Sequence, residues 1–150
     1  MISALRSVVL VLLLAAPLAG VRAADSDTLT IHTADGQDHK FTIELARTDA
    51  ERETGLMDRP SMDADHGMLF DFGRDQPVYM WMKDTLIPLD MLFIDKTGRI
   101  AGIAARAVPM SEEVISSPGK VRAVLELNGG TADRLHLATG DVVHHPMFAP

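Results

Sequence analysis

The densest run of reactive side chains is Met80-Trp81-Met82-Lys83-Asp84-Thr85, followed closely by Pro88 and Asp90. On an extended strand, Met80 and Met82 share one face while Trp81 and Lys83 share the other. A lysine at the strand end, carboxylates at Asp84 and Asp90 and a proline that shapes the loop between them hold opposite charges close together. If Glu126 from another strand and Arg59 from beyond a short helix converge there, the set makes a polar concavity in an apolar wall. Such a concavity suits a small polar ligand or a partner segment. Arg59 would offer a fork of donors to a carboxylate or phosphate, Lys83 a point charge, and Trp81 apolar area. The competing reading is an ion pair that fixes the loop, with Asp84 and Thr85 bonding its backbone.

An enzyme built from these residues would need Lys83 with a lowered pKa, or a raised one on Asp84, Asp90 or Glu126, to move protons near neutrality. No nucleophile elbow is visible: Ser111, Ser116 and Ser117 lie outside any Gly-x-Ser-x-Gly pattern. The histidines, at 32, 39, 66, 136, 144 and 145, lack the paired helical spacing of a zinc hydrolase, so no metal centre and no cofactor are expected. Methionine allows one exception. The chain has nine, against five Phe and one Tyr, and Met80 with Met82 could present thioethers to reduced copper. Methionine is also a pliable core filler, and an aromatic-poor domain needs volume from some source.

Leu29 to His32 and Phe41 to Leu45 alternate apolar with polar about Asp35-Gly36, which predicts a hairpin with one buried face. Thr48 followed by Glu51 is a capping box and predicts a short helix from Asp49 to about Thr54, ended by Gly55. Period-two patterning returns at Gly67 to Phe72 and Val78 to Met82, read as two strands separated by Gly73 and Pro77. Leu89 to Ile94 is more continuously apolar, interrupted by Asp90 alone, so both of its faces are expected to be covered. Arg99 to Val108 and Val121 to Leu127 read as further strands, with Pro109 to Lys120 as a loop between them. After Asn128-Gly129-Gly130, Thr131 is expected to cap one short helical turn before a last strand at Gly140 to Val143. The sum is one α+β domain, mostly antiparallel β, with one or two short helices.

At the amino end, Arg6 precedes an apolar run from Val8 to Ala16, then Pro17, Gly20 and Val21-Arg22-Ala23. That is the pattern of a secretory signal peptide cleaved after Ala23, with a run too short for a membrane span. Cleavage would leave 127 of the 150 residues and, by removing Arg6 and Arg22, take the net charge from −7 to −9. The expected compartment is periplasmic or extracellular, with no integral membrane segment after cleavage. Zero cysteines exclude thiol catalysis and thiolate metal sites, and the acidic balance argues against nucleic acid as a partner.

Four blocks of residues agree in order and spacing with a known family. They are Glu51-Arg52 through Gly55-Leu56-Met57 to Arg59; Gly67-Met68-Leu69-Phe70; Trp81-Met82-Lys83-Asp84-Thr85 through Pro88-Leu89-Asp90; and Val124-Leu125-Glu126-Leu127-Asn128-Gly129. The chain from about Phe41 to Val143 resembles the domain of unknown function 192 family. The resemblance implies a compact, barrel-like, mostly β domain, often found behind a signal peptide, filling residues 24 to 150 as a single unit. It carries no established activity. The chain departs from the family pattern at Asp84, where Asn is usual, which questions any role there for a neutral amide donor.

Overall fold

The structure is a computed structural model that describes residues 28–148. The proposed signal segment, with its cleavage at Ala23, lies outside the described residues. Seven strands form one sheet: β1 (Thr28–His32), β2 (Asp38–Ala46), β3 (His66–Met80), β4 (Leu89–Ile94), β5 (Ile100–Ala107), β6 (Ile115–Asn128) and β7 (Val142–His144). Helix α1 (Asp49–Thr54) joins β2 to β3, and α2 (Thr131–Arg134) follows β6. The spatial order is β5-β4-β6-β3-β2-β1-β7, antiparallel throughout except for the β2–β3 pair, which is parallel. The sheet rolls until its edges meet. Arg99 bridges Val142, and the Ile100 amide donates to the Asp141 carbonyl at 2.9 Å. The domain is thus α+β, mostly antiparallel and barrel-like, with two short helices. Among the described residues no helix is long and apolar enough to cross a membrane.

Strand alternation divides the core in two. Leu69, Leu92, Ile94, Ala123, Leu125 and Leu127 belong to a cluster on the inner face, completed by Ala132 and Leu137 from around α2. Met68, Phe70, Leu89, Met91, Phe93 and Val124, their strand neighbours, belong to a second cluster on the opposite face, under Leu56 and Met82. This explains why β4 is apolar at every position but Asp90, with all six of its residues buried.

Three local expectations change. β3 is one strand of 15 residues rather than two, because irregular pairing with β6 between Asp71 and Gln76 absorbs Gly73, at φ +76°. The segment read as a loop from Pro109 to Lys120 is strand from Ile115 onward; its largely exposed polar residues give no alternation to read. Thr131 does not cap α2: it is the helix's first residue, and Gly130 stands at the N-cap without a side-chain bond.

The cap comes instead from another strand. Asp90, fully buried on β4, accepts from the Ala132 amide at 2.7 Å and the Gly130 amide at 3.0 Å. The same carboxylate accepts from the Arg106 amide at 2.8 Å, where β5 bulges and Arg106 adopts φ +50°. One side chain therefore ties the start of α2 to the bulge in β5. Asp90→Ala should lower the unfolding free energy by about 3 kcal/mol or more, since it strands three backbone donors; a urea titration reads this directly. Gly67→Ala should cost about 2 kcal/mol, because its Cβ would lie 2.6 Å from the Glu126 carbonyl oxygen. Thermal melting of that variant provides the check.

Candidate functional site

Glu126 on β6 is in register with Met68 on β3 and with Met91 on β4, both buried, so its side chain rises between two methionines on the second cluster's face. The residue is 4 % exposed, and no described residue hydrogen-bonds or ion-pairs its carboxyl. Burial alone pushes its pKa up from 4.5 to about 8, because an apolar wall disfavours the charged form. At neutral pH this group is mostly a neutral acid, able both to donate and to accept a hydrogen bond.

One wall above it is built by α1 and the residues that follow. Thr48 Oγ1 accepts from the Glu51 amide at 3.2 Å, and Glu51 Oε2 accepts from the Thr48 amide at 2.8 Å, closing the capping box. The helix stops at Gly55, whose φ of +47° suits glycine. A Cβ there would lie 3.1 Å from the Phe70 ring, so glycine also lets the backbone approach that ring. Leu56 then turns inward and is buried.

The facing wall is the segment after β3. Met82 is fully buried and anchors it, while its amide donates to the Ser111 carbonyl at 2.9 Å. Trp81 and Lys83 point the other way, and the Lys83 ammonium sits 5.3 Å from the centre of the indole ring. Thr85 Oγ1 donates to the Lys83 carbonyl at 3.1 Å. The two walls are joined where the Asp58 amide donates to the Asp84 carbonyl at 2.8 Å. Asp84 has φ +52°, a conformation that Asn and Asp adopt more readily than other side chains. That backbone accommodates an aspartate without any need for an amide donor at this position.

Between the walls is a narrow cleft lined by Gly55, Leu56, Met80, Trp81, Lys83 and Glu126, among others, with a volume of about 30 Å³. Of the residues singled out from the sequence, Trp81, Lys83 and Glu126 therefore share one concavity. Asp84 stands behind them in the turn. Asp90 does not join them: it is one position from Met91 on β4, faces the inner cluster and is occupied by backbone amides. Arg59 lies in the adjoining open groove, of about 410 Å³, which shares Thr54 and Gly55 with the cleft. It forms a two-pronged ion pair with Glu44, one contact at 2.8 Å, and the guanidinium's hydrogen bonds hold the Glu44 carboxyl below its ordinary range. Met80 edges the cleft, whereas Met82 is fully buried in the second cluster. Among the described residues, no group of three or more His, Asp or Glu could hold a metal ion.

Sequence reasoning did not foresee the contribution of Gly55, Leu56 and Phe70. Their signal was present in the capping box and its terminating glycine, which fix where the chain must turn back over the sheet.

No curated protein matches the chain. Among solved structures, a proposed transcription regulator from Sinorhizobium meliloti 1021 is similar at 50% identity and a TM-score of 0.79, over 80% of this chain and 93% of that one. A protein of unknown function from Novosphingobium aromaticivorans DSM 12444 is similar at 41% identity and a TM-score of 0.75, over 78% of this chain and 83% of that one. A model of the DUF192 family, described as an uncharacterised ACR, matches residues 30–145, and the chain accordingly belongs to that family.

Proposed function

We propose that this protein is an exported, non-enzymatic binding module whose cleft receives one oxygen acceptor, a carboxylate or a carbonyl, between Glu126 and Lys83. The observation that carries this reading is a buried carboxyl at the floor of a cleft with no partner among the described residues. Unsatisfied buried polar groups are rare in folded proteins, and one that faces a cleft is suited to meeting its partner there. As a neutral acid Glu126 donates a proton, and Lys83, which has no ion-pair partner among the described residues, brings a positive charge to the rim. Two donors call for an acceptor.

The size of the cleft sharpens the reading. About 30 Å³ exceeds what one water needs but is roughly a tenth of the smallest ordinary ligand pocket. A terminal group enters; the remainder of the ligand lies outside, over Trp81 or along the groove beyond Gly55. Export rests on the charged start, apolar run and small-residue site ending at Ala23. The regulator role proposed for the Sinorhizobium relative fits this chain poorly, because a net charge of −7 repels a phosphate backbone.

A second reading, general-acid catalysis by Glu126, is favoured by a pKa near 8, close to the ideal for proton transfer at neutral pH. A compound consumed by the native protein and left intact by Glu126→Gln would establish it.

Acetate, acetamide and methylammonium at high millimolar concentration separate the acceptor reading from its converse in a thermal melt. Acetate and acetamide should raise the melting temperature and methylammonium should not. Lys83→Met should abolish the acetate shift while leaving the unliganded melting temperature within about a degree or two; stabilisation by methylammonium alone would sink the assignment.

The raised pKa also predicts a pH profile with a definite sign. Between about 4.5 and 8 the unfolded chain releases the Glu126 proton and the native protein keeps it, so this group's contribution to stability falls as pH rises. Glu126→Gln removes that dependence. The variant should equal the native protein near pH 4 and exceed it by an amount on the order of 4 kcal/mol at pH 9. Paired denaturant titrations across pH measure the difference and cancel the opposing effect of the carboxylates whose pKa values are lowered.

A further inference from the structure

Six large apolar side chains stand exposed among the described residues: Tyr79, Trp81, Leu86, Val108, Met110 and Val114. All six come from two segments that are bonded to each other. The Met82 amide donates to the Ser111 carbonyl at 2.9 Å, the Met110 amide donates to the Thr85 carbonyl at 3.1 Å, and Tyr79 is in register with Ser116. The exposed apolar surface is thus gathered at one end of the molecule instead of being scattered, as isolated surface hydrophobics normally are.

The second segment is also held in an unfavourable backbone. The Ser111 amide donates to the Val108 carbonyl across Pro109-Met110, and Met110 has φ +62°. That is the third position of a type II turn, which favours glycine or asparagine. A methionine there strains the backbone, yet its side chain is 55% exposed and contributes nothing to the core. Strain kept at an exposed apolar residue points to use by something outside the fold.

We propose that this end of the molecule docks an extended apolar segment of another protein, flanked by basic residues, which lies across Met110 and Trp81. The proposal rests on the acceptor reading of the cleft and deepens it, because Trp81 belongs to both surfaces: a segment lying across the indole delivers one acceptor group toward Glu126. Charge selects the occupant. Glu112 and Glu113 are exposed between Met110 and Val114, have no ion-pair partner among the described residues, and with Asp84 outnumber Lys83 in these two segments. A second copy would set Glu112-Glu113 against a surface of the same negative excess, and an anionic bilayer would repel it. A segment with lysine or arginine beside its apolar residues meets both features.

The chain's single tryptophan lies on this surface, so its fluorescence reports occupancy directly. Three synthetic twelve-residue peptides serve as probes: an apolar core ending in an amidated glutamine with lysine flanks, the same core with glutamate flanks, and a serine core with lysine flanks. The lysine-flanked apolar peptide should shift the Trp81 emission to the blue in a saturable way. The other two should need at least tenfold higher concentration. Met110→Gly combined with Val108→Ser, both exposed positions, should weaken that titration at least tenfold at a melting temperature no lower than that of the native protein. Equal binding of the glutamate-flanked peptide overturns the proposal, as does a shift that depends on protein concentration alone or that appears with phosphatidylcholine vesicles and no peptide. No shift with any of the three peptides overturns it as well. Glu126→Met, which removes the donor, keeps the two readings apart. If it leaves peptide affinity unchanged while the Met110 variant weakens it, the docking surface stands and the cleft reading fails. If acetate stabilises the protein but no peptide binds, the reverse holds.

Discussion

A carboxyl group placed on an inner strand, between methionines from both neighbouring strands, has to stay neutral or find a partner. Glu126 occupies such a position, and the rest of the site is arranged around it. Helix α1 ends at a glycine so that Leu56 can fold inward beside Phe70, and Met82 roots the opposite wall. No described residue of either wall hydrogen-bonds or ion-pairs the carboxyl. An apolar residue in place of Glu126 would fill this face with less desolvation cost.

The contrast with Asp90 shows what a buried carboxylate looks like when its work is structural. The two acids sit on adjacent strands, one register step apart, but alternation turns them to opposite faces. Asp90 is surrounded by three backbone amides and bonds the start of α2 to the bulge of β5. Glu126 has none of these donors. Burial alone does not distinguish the two; the number of donors around each carboxyl does.

Much of the scaffold could be read from local pattern. The capping box at Thr48 and Glu51 located α1 and its end, and the apolar run of β4, interrupted by Asp90 alone, announced a strand covered on both faces. These succeed because the cause lies within a few residues of the effect. The grouping of the site was only half legible for the opposite reason. Lys83, Asp84 and Asp90 are close in sequence, but the chain leaves β3 at Met80 and re-enters the sheet at Leu89 in a register that turns Asp90 inward. That register is set by β6, more than thirty residues further on. The strand character of Ile115 to Lys120 was hidden too, since a polar stretch paired with the outer part of β3 shows no alternation, and the parallel β2–β3 pairing leaves no local mark.

The bridge between Arg99 and Val142 has a bearing on how the chain assembles. β1, the first strand described, lies beside β7, the last, so this pair closes a loop of about a hundred residues. Closing such a loop is entropically costly and contributes little until the intervening strands are in place. During synthesis the polypeptide can therefore collapse around its central hairpins, but the cylinder cannot shut before Val142 has left the ribosome. Until then both β1 and β5 carry unpaired backbone, and the nascent domain is at its most vulnerable to pairing with a neighbour in that interval.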